Sequence, residues 1–389
     1  MPPFSVLYLL VKKMKNISKY KIDKSLLIPI ILFAIISIFT LYGADSILPK
    51  HMDNLMIKQT LWYLGGFALI IFIMTIGNRS IYKSVWILYG VGIASLIGLF
   101  FFGTSINDAK CWYEIPGIGT IQPSEFMKII LIITNATLIS KFNENFPSPS
   151  VKEELFFLIK ITLVVLLPSI LTFLQPDTGV VLIYLLITFI MLFISGIRYR
   201  WFAIVFGIAG ILIALILGVY FISQDLFIKI YGTSFFLRVD RLLDWSNGSG
   251  YQLENSLSSI GSAGLFGHGW NTNPIYFPEA QTDFIFAVFA THFGFVGSVF
   301  LLALLTFFDI RLILLAMKTD KLINKYVIAG VTGMLIYQQF QNIGMTYGLL
   351  PITGITLPFI SYGGSSLLSY MLAMGIIFNI SNDDMRYTN

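Results

Sequence analysis

The sequence predicts an all-α polytopic membrane protein of about ten transmembrane helices. Three observations carry this. Hydrophobic residues make up 56% of the 389 positions and charged residues only 12%, with a mean hydropathy of +0.81; a water-soluble fold of this size needs far more charge on its outside. Apolar runs long enough to cross a bilayer recur along the whole chain. Lysine and arginine fall mainly in alternate connecting segments, as the positive-inside rule requires. The same composition excludes other classes. A lone cysteine, Cys111, leaves no internal disulfide and no multi-thiolate metal site, and His51, His268 and His292 have no ligand spacing.

The apolar runs lie near 26–43, 61–77, 84–102, 124–140, 156–174, 178–196, 202–223, 285–308, 326–342 and 364–380. Pro168 interrupts the fifth, which a membrane helix tolerates. No internal repeat, low-complexity tract or soluble domain breaks the series, so residues 1–389 read as a single transmembrane domain. With the N-terminus placed inside, cytoplasmic segments hold 18 of the 25 basic residues. Both termini then face the cytoplasm, and a basic cytoplasmic segment over 1–25 precedes the first helix. Residues 224–284 form a large extracellular loop between helices 7 and 8. The net charge of +5 is accounted for in the loops, and no basic stripe remains for nucleic acid. The apolar stretch Phe4 to Val11 precedes the lysines, the reverse of a signal peptide, and Met14 is an alternative start.

Two segments read neither as helix nor as free loop. The outer loop contains "YQLENSLSSIGSAGLFGHGW", apolar and glycine-rich enough to be ordered and partly re-entrant. Residues 342–366, "NIGMTYGLLPITGITLPFISYGGSS", hold too much Gly and Pro for a regular helix and are too apolar for a solvated loop. Non-helical backbone at membrane depth persists only inside protein or around a cavity. An outward-opening cavity near these two segments is therefore expected.

Ionisable residues gather at the outer helix ends: Glu125, Lys128, Asp177, Arg238, Arg241, Glu279 and Asp283. Charges beside apolar spans are costly and mark function by default, yet each has a structural reading too. Asp283, in "PEAQTDFIFAVF", is placed to cap the following helix, as is Thr282. Asp177, in "QPDTGVV", sits in a turn that joins two helices too closely to leave much room for a substrate. In "QPSEFMK", Glu125 and Lys128 share a helical face, either as a buried ion pair or with Lys128 facing the cavity to bind an anion. Arg238 and Arg241, also three apart, suit a phosphate or diphosphate, or else a solvated face touching headgroups. The run "SYGGSS" offers backbone N–H groups to phosphate, or close helix packing. Trp112 and Tyr113 suit interfacial anchors. No Ser-His-Asp order, HExxH, P-loop or dinucleotide glycine pattern is present. Chemistry here would rest on carboxylates, basic residues and a loosely held divalent cation.

At "NIGMTYGLLPITGITLPFISYGGSSLL" the chain resembles the signature of the SEDS family of shape, elongation, division and sporulation proteins. The blocks "IPGIGTIQPSEFMKI", "QPDTGVVLI", "RVDRLLDW", "GYQLENSLSSIGSAGLFGHGW" and "YFPEAQTDFIFAVF" extend the resemblance, in family order, over almost the whole chain. "NIGM" and the Thr353-Gly354 pair look most like the RodA branch. The resemblance implies a SEDS-type bundle of ten helices in the bacterial cytoplasmic membrane. It implies a peptidoglycan glycosyltransferase that polymerises lipid II into glycan strands during cell-wall elongation and rod-shape maintenance. The partners it implies are a class B penicillin-binding protein, the transpeptidase, and other elongation-complex membrane proteins. Asp283 falls on the family's catalytic aspartate and would take the proton of the acceptor sugar 4-hydroxyl. Arg238, Arg241 and Lys128 would bind the leaving diphosphate, and Glu125, Gln122 and Trp112 complete the substrate-binding set. A divalent cation, Mg or Mn, is also implied, although no dedicated ligand motif appears.

Two departures from the family pattern remove charge from near the proposed site. Many members carry Arg-Trp where this chain has Cys111-Trp112-Tyr113, and Glu-Glu where it has Thr291-His292. Two other functions compete with polymerisation: a lipid II flippase, and a non-catalytic scaffold for the penicillin-binding protein. A flippase needs polar groups along a path to the inner leaflet, whereas a polymerase needs its carboxylate outside. The clustering of ionisable residues at the outer ends favours the polymerase.

Overall fold

The computed structural model describes residues 21–44, 54–106, 109–115, 119–233, 235–236, 239–240, 250–270, 272 and 275–387. Among them, one long helix forms for each of the ten apolar runs. These are α1 (Lys24–Ala44), α2 (Leu55–Ile76), α4 (Val85–Phe102), α5 (Pro123–Asn145), α6 (Val151–Leu174), α7 (Thr178–Ile194), α8 (Tyr199–Ile222), α11 (Ile285–Lys318), α12 (Leu322–Thr346) and α13 (Gly364–Tyr387). Among the described residues, the short helices α3 (Asn78–Lys83), α9 (Gln224–Tyr231) and α10 (Tyr251–Ser262) lie in the connections. The all-α polytopic expectation holds, with one small addition that the sequence did not announce. Between α4 and α5 the chain forms a small antiparallel sheet of β1 (Thr104–Ile106), β2 (Ala109–Ile115) and β3 (Gly119–Ile121), in the order β1-β2-β3.

Polarity sorts most of the helices into layers, with α13 apolar enough to span yet mostly buried inside the bundle. Seven are long and apolar enough to cross a membrane, and α7 is apolar but shorter. The other two, α5 and α12, carry Thr134, Asn135, Thr137, Gln338, Gln339 and Asn342, all buried. They pack against each other and against α7, with α13 on α5 and α11 on α12. Helices that face lipid must be apolar outside, whereas inner ones hold amides paired across the bundle. Asn135 Nδ2 thus donates to Thr188 Oγ1 at 3.0 Å, and Gln338 Nε2 to Tyr370 OH at 2.9 Å. The extra turns of α11 past 308 follow the same rule. Asp309 is buried and accepts from Gln339 Nε2 at 3.2 Å, and Arg311 Nε donates to Ser25 Oγ at 2.8 Å.

The described chain begins and ends at one end of the bundle, where Lys21 N donates to Asn382 Oδ1 at 3.0 Å. Near the opposite end, α11 breaks at Gly294 (φ 62, ψ −158). The segment 264–269 lies against the break. His268 N donates to Thr291 O at 2.9 Å and Gly269 N to His292 O at 3.2 Å, while Phe295 N and Val296 N donate to Gly264 O and Leu265 O at 3.0 Å. The expected re-entrant piece therefore replaces ladder bonds that the kink removes. Only glycine fits here, since a Cβ on Gly294 would lie 2.7 Å from the Leu265 carbonyl.

Gly294→Ala should cost about 2 kcal/mol or more through backbone strain alone, lowering the thermal midpoint of detergent-solubilised protein by several degrees. Gly207→Ala, in open space on α8, should leave the midpoint unchanged or raise it slightly. Equal midpoints for Gly294→Ala and the parent would contradict this seating.

Candidate active site

At the end opposite the termini, two irregular segments meet: 278–284, leading into α11, and 347–363, between α12 and α13. Their carbonyls receive hydrogen bonds from buried side chains. Gln341 Nε2 donates to Pro351 O at 2.8 Å. Asn342 Nδ2 donates to both Asp283 O and Ile355 O, each at 2.8 Å. The Tyr63 hydroxyl donates to the Phe359 carbonyl, Ser37 Oγ to Ile360 O at 2.7 Å, and Gln59 Nε2 to Ser361 O at 3.2 Å. The segments also join each other: Ser361 Oγ donates to Thr282 O at 2.6 Å and Tyr362 N to Gln281 O at 2.9 Å. Sequence reasoning did not single out Asn342. The available signal was an amide in an apolar helix, directly before the Gly/Pro-rich run.

Between these segments and the β-sheet lies a cavity of about 1290 Å³, lined among others by Trp112, Gln122, Glu125, Asp177, Glu279 and Asp283. Asp283 is half-buried in its wall. It does not cap α11: the cap position is Phe284, which makes no side-chain cap bond. Gly354 (φ 71) brings the second segment alongside, where a Cβ would sit 3.6 Å from Asp283 Oδ2. Burial pushes the Asp283 carboxyl up to about 7, the nearby Glu279 carboxylate adds to this, and a hydrogen bond with Thr282 opposes it.

The opposite wall corrects the expectation for Asp177. The carboxylate does cap α7, accepting from Val180 N at 3.2 Å, but it also borders the cavity. Gln122 Nε2 and Ser124 Oγ donate to its Oδ2 at 2.8 and 3.2 Å. The sheet packs against the 175–177 turn, the Cys111 thiol donating to Gln175 O at 2.7 Å, and both border the cavity. Burial pushes Asp177 up to about 6 and the Cys111 thiol up to about 12, so that thiol is no nucleophile. Along β2 the side chains alternate. Tyr113 turns to α4, donating to Ser95 O at 2.8 Å, and Trp112 turns to the cavity.

Lys128 is not a cavity residue. It is fully buried, with Nζ 2.7 Å from Glu125 Oε2 and 5.3 Å from the centre of the Tyr370 ring. Glu125 reaches the cavity wall and Lys128 lies behind it, so the ion-pair reading describes the contact. Arg238 and Arg241 lie outside the described residues. Thr291 and His292 are not beside the cavity either. They lie about 12 Å beyond Asp283 along α11, where Thr291 Oγ1 is 2.7 Å from Ser259 Oγ and the His292 imidazole abuts Gly43. In "SYGGSS", Gly364 serves packing, since its face lies against the Trp62 indole. Among the described residues, no three His, Cys, Asp or Glu side chains cluster to hold a metal ion.

Residues 23–386 match the family described as Cell cycle protein, which groups FtsW, RodA and SpoVE. The chain belongs to this family. It is 32% identical to the probable peptidoglycan glycosyltransferase FtsW of Lactococcus lactis, covering 94% of this chain and 93% of that protein. It is 30% identical to the peptidoglycan glycosyltransferase MrdB of Escherichia coli K12, covering 93% and 94%. The crystal structure of the rod shape determining protein RodA of Thermus thermophilus superposes with a TM-score of 0.66 at 26% identity, over 93% and 97% of the two chains. A chain from a peptidoglycan synthase complex shares the fold, with a TM-score of 0.77 at 24% identity over 93% and 98%. The near-equal identities to FtsW and MrdB establish the FtsW/RodA/SpoVE family and do not separate its branches.

Lys128→Met would strand the Glu125 carboxylate in the core and should destabilise by about 3–5 kcal/mol. Adding Glu125→Gln should restore most of that loss, as read by unfolding in detergent micelles. A double variant as unstable as the single one would contradict the pair.

Proposed function

We propose that this chain is a peptidoglycan glycosyltransferase that polymerises lipid II, with Asp283 as its general base. The observation that carries this is the half-buried Asp283 carboxylate in the wall of the 1290 Å³ cavity, with its proton affinity raised to near neutral. As the acceptor 4-hydroxyl attacks the anomeric carbon of the donor, its proton passes to Asp283. The new C–O bond forms while the bond to the lipid diphosphate breaks, and that diphosphate leaves with the electron pair. A base works best with a pKa close to the working pH. Gln122 and Asp177 offer hydrogen bonds to a sugar, and Trp112 offers an apolar ring face. The leaving diphosphate needs cations, and we assign that role to Arg238 and Arg241. Lys128 acts only by holding Glu125 in place.

The charge bias supports an orientation with both termini in the cytoplasm of a bacterial cell and the cavity facing out. A reporter fused after Asn389 that read as external would overturn it. Likeness to a chain of a peptidoglycan synthase complex supports a class B penicillin-binding protein as partner, and the RodA-like "NIGM" and Thr353-Gly354 support a role in elongation.

Asp283→Asn should leave folding and partner binding near parental while lowering lipid II polymerisation by roughly two to four orders of magnitude. A flippase or scaffold would tolerate the change, and an Asn variant polymerising at the parental rate would refute the assignment. Because the base acts deprotonated, the rate should climb about tenfold per pH unit below about 7 and level off above it. Glu279→Gln removes a like charge that raises Asp283, so the climb should move to lower pH. An unmoved profile would separate Glu279 from the base.

A further inference from the structure

A second cavity, of about 760 Å³, opens at the end of the bundle where the described chain begins and ends. It lies about 20 Å along α13 from the first, since Ser365 borders one cavity and Asn379 the other. Nothing in the glycosyl transfer uses it. Four cationic side chains line it, Arg79 and Lys83 from α3, Lys141 from α5 and Lys321 at the start of α12, against one carboxylate, Asp383. Lys321 Nζ is 3.9 Å from Asp383 Oδ2, with Lys321 exposed and Asp383 partly so. The lining amides add donors. Asn324 accepts from Tyr82 OH at 3.1 Å and Asn382 from Lys21 N at 3.0 Å, both through Oδ1. That leaves their amide nitrogens, which only donate, for another partner. Such a set of donors recognises an anion.

One wall tells which kind. Ile76, Val85 and Trp86 line the cavity from the end of α2 and the start of α4. Trp86 is exposed on α4 and meets the half-buried Tyr89 edge-on, and an exposed Trp at a helix end suits an aromatic anchor at headgroup level. Cations beside an apolar, aromatic wall between membrane helices match a phosphate that carries acyl chains. We propose that this cavity binds the phosphate-bearing headgroup of an anionic phospholipid, with its chains running along Trp86 and α4. The site is independent of the transfer chemistry.

The test uses the full chain, purified in a neutral detergent. Native mass spectrometry would compare phosphatidylglycerol, phosphatidylcholine and inorganic phosphate as probes. Phosphatidylglycerol should be retained in clear preference to phosphatidylcholine, and inorganic phosphate should not compete at matched concentration. The triple variant Arg79→Gln, Lys83→Gln, Lys141→Gln should weaken phosphatidylglycerol binding on the order of a hundredfold, while polymerisation in neutral lipid stays at the parental rate. If the triple variant fails to fold, Lys141→Gln alone should still weaken it about fivefold. Equal retention of both lipids, unchanged binding in the charge-removed variants, or full competition by inorganic phosphate would each overturn the lipid assignment.

Discussion

Backbone that leaves a helix inside a membrane meets no water, so each of its polar groups needs a partner within the protein. In this chain the segments 278–284 and 347–363 present that demand together, at the same end of the bundle. Five helix side chains, Ser37, Gln59, Tyr63, Gln341 and Asn342, meet it by donating to six carbonyls. Asn342 matters most because it serves both segments at once, one through Asp283 O and the other through Ile355 O. These bonds hold both segments on the bundle core, where Phe284, Ile355, Leu357, Phe359 and Ile360 are packed, and joined to each other beside the cavity.

The same constraint explains how Asp283 comes to face the cavity with few partners of its own. Its backbone is fixed by Asn342 and by Asp283 N donating to Glu279 O at 3.1 Å, so the carboxylate is not needed for holding the turn. Burial then raises its proton affinity. Asp177 differs in that its carboxylate already accepts from Gln122, Ser124 and Val180. Asp177 thus serves structure as well as the cavity wall, whereas the Asp283 carboxylate is left for chemistry. Lys128 shows the cost of reading a charge from position alone: a cation three residues from a carboxylate in a packed helix is turned to that carboxylate.

Much of this was legible in the sequence for physical reasons. The ten spans were visible because lipid demands long apolar runs, and even α5 and α12 kept enough apolar residues between their amides to show. Both irregular segments were visible because Gly and Pro there conflict with helix while the rest conflicts with water. The sheet was not visible: β1 and β3 are three residues each, too short for alternation to register. Nor was the break in α11, since a lone glycine in an apolar helix usually continues it and only the docking of 264–269 requires otherwise. The double duty of Asp177 was hidden because cap geometry is local, whereas the space beside it depends on a sheet packed from elsewhere in the chain.

Amide hydrogen exchange on the Asn342→Ala variant tests most directly whether buried side chains hold the two segments that carry the site. Loss of this side chain leaves Asp283 O and Ile355 O without their donor, a penalty of about 1–3 kcal/mol for each group left unsatisfied. Exchange should accelerate together in 279–284 and 353–357 by one order of magnitude or more, while α5 and α13 keep parental protection. Parental protection in both segments, or acceleration in one without the other, would contradict the account.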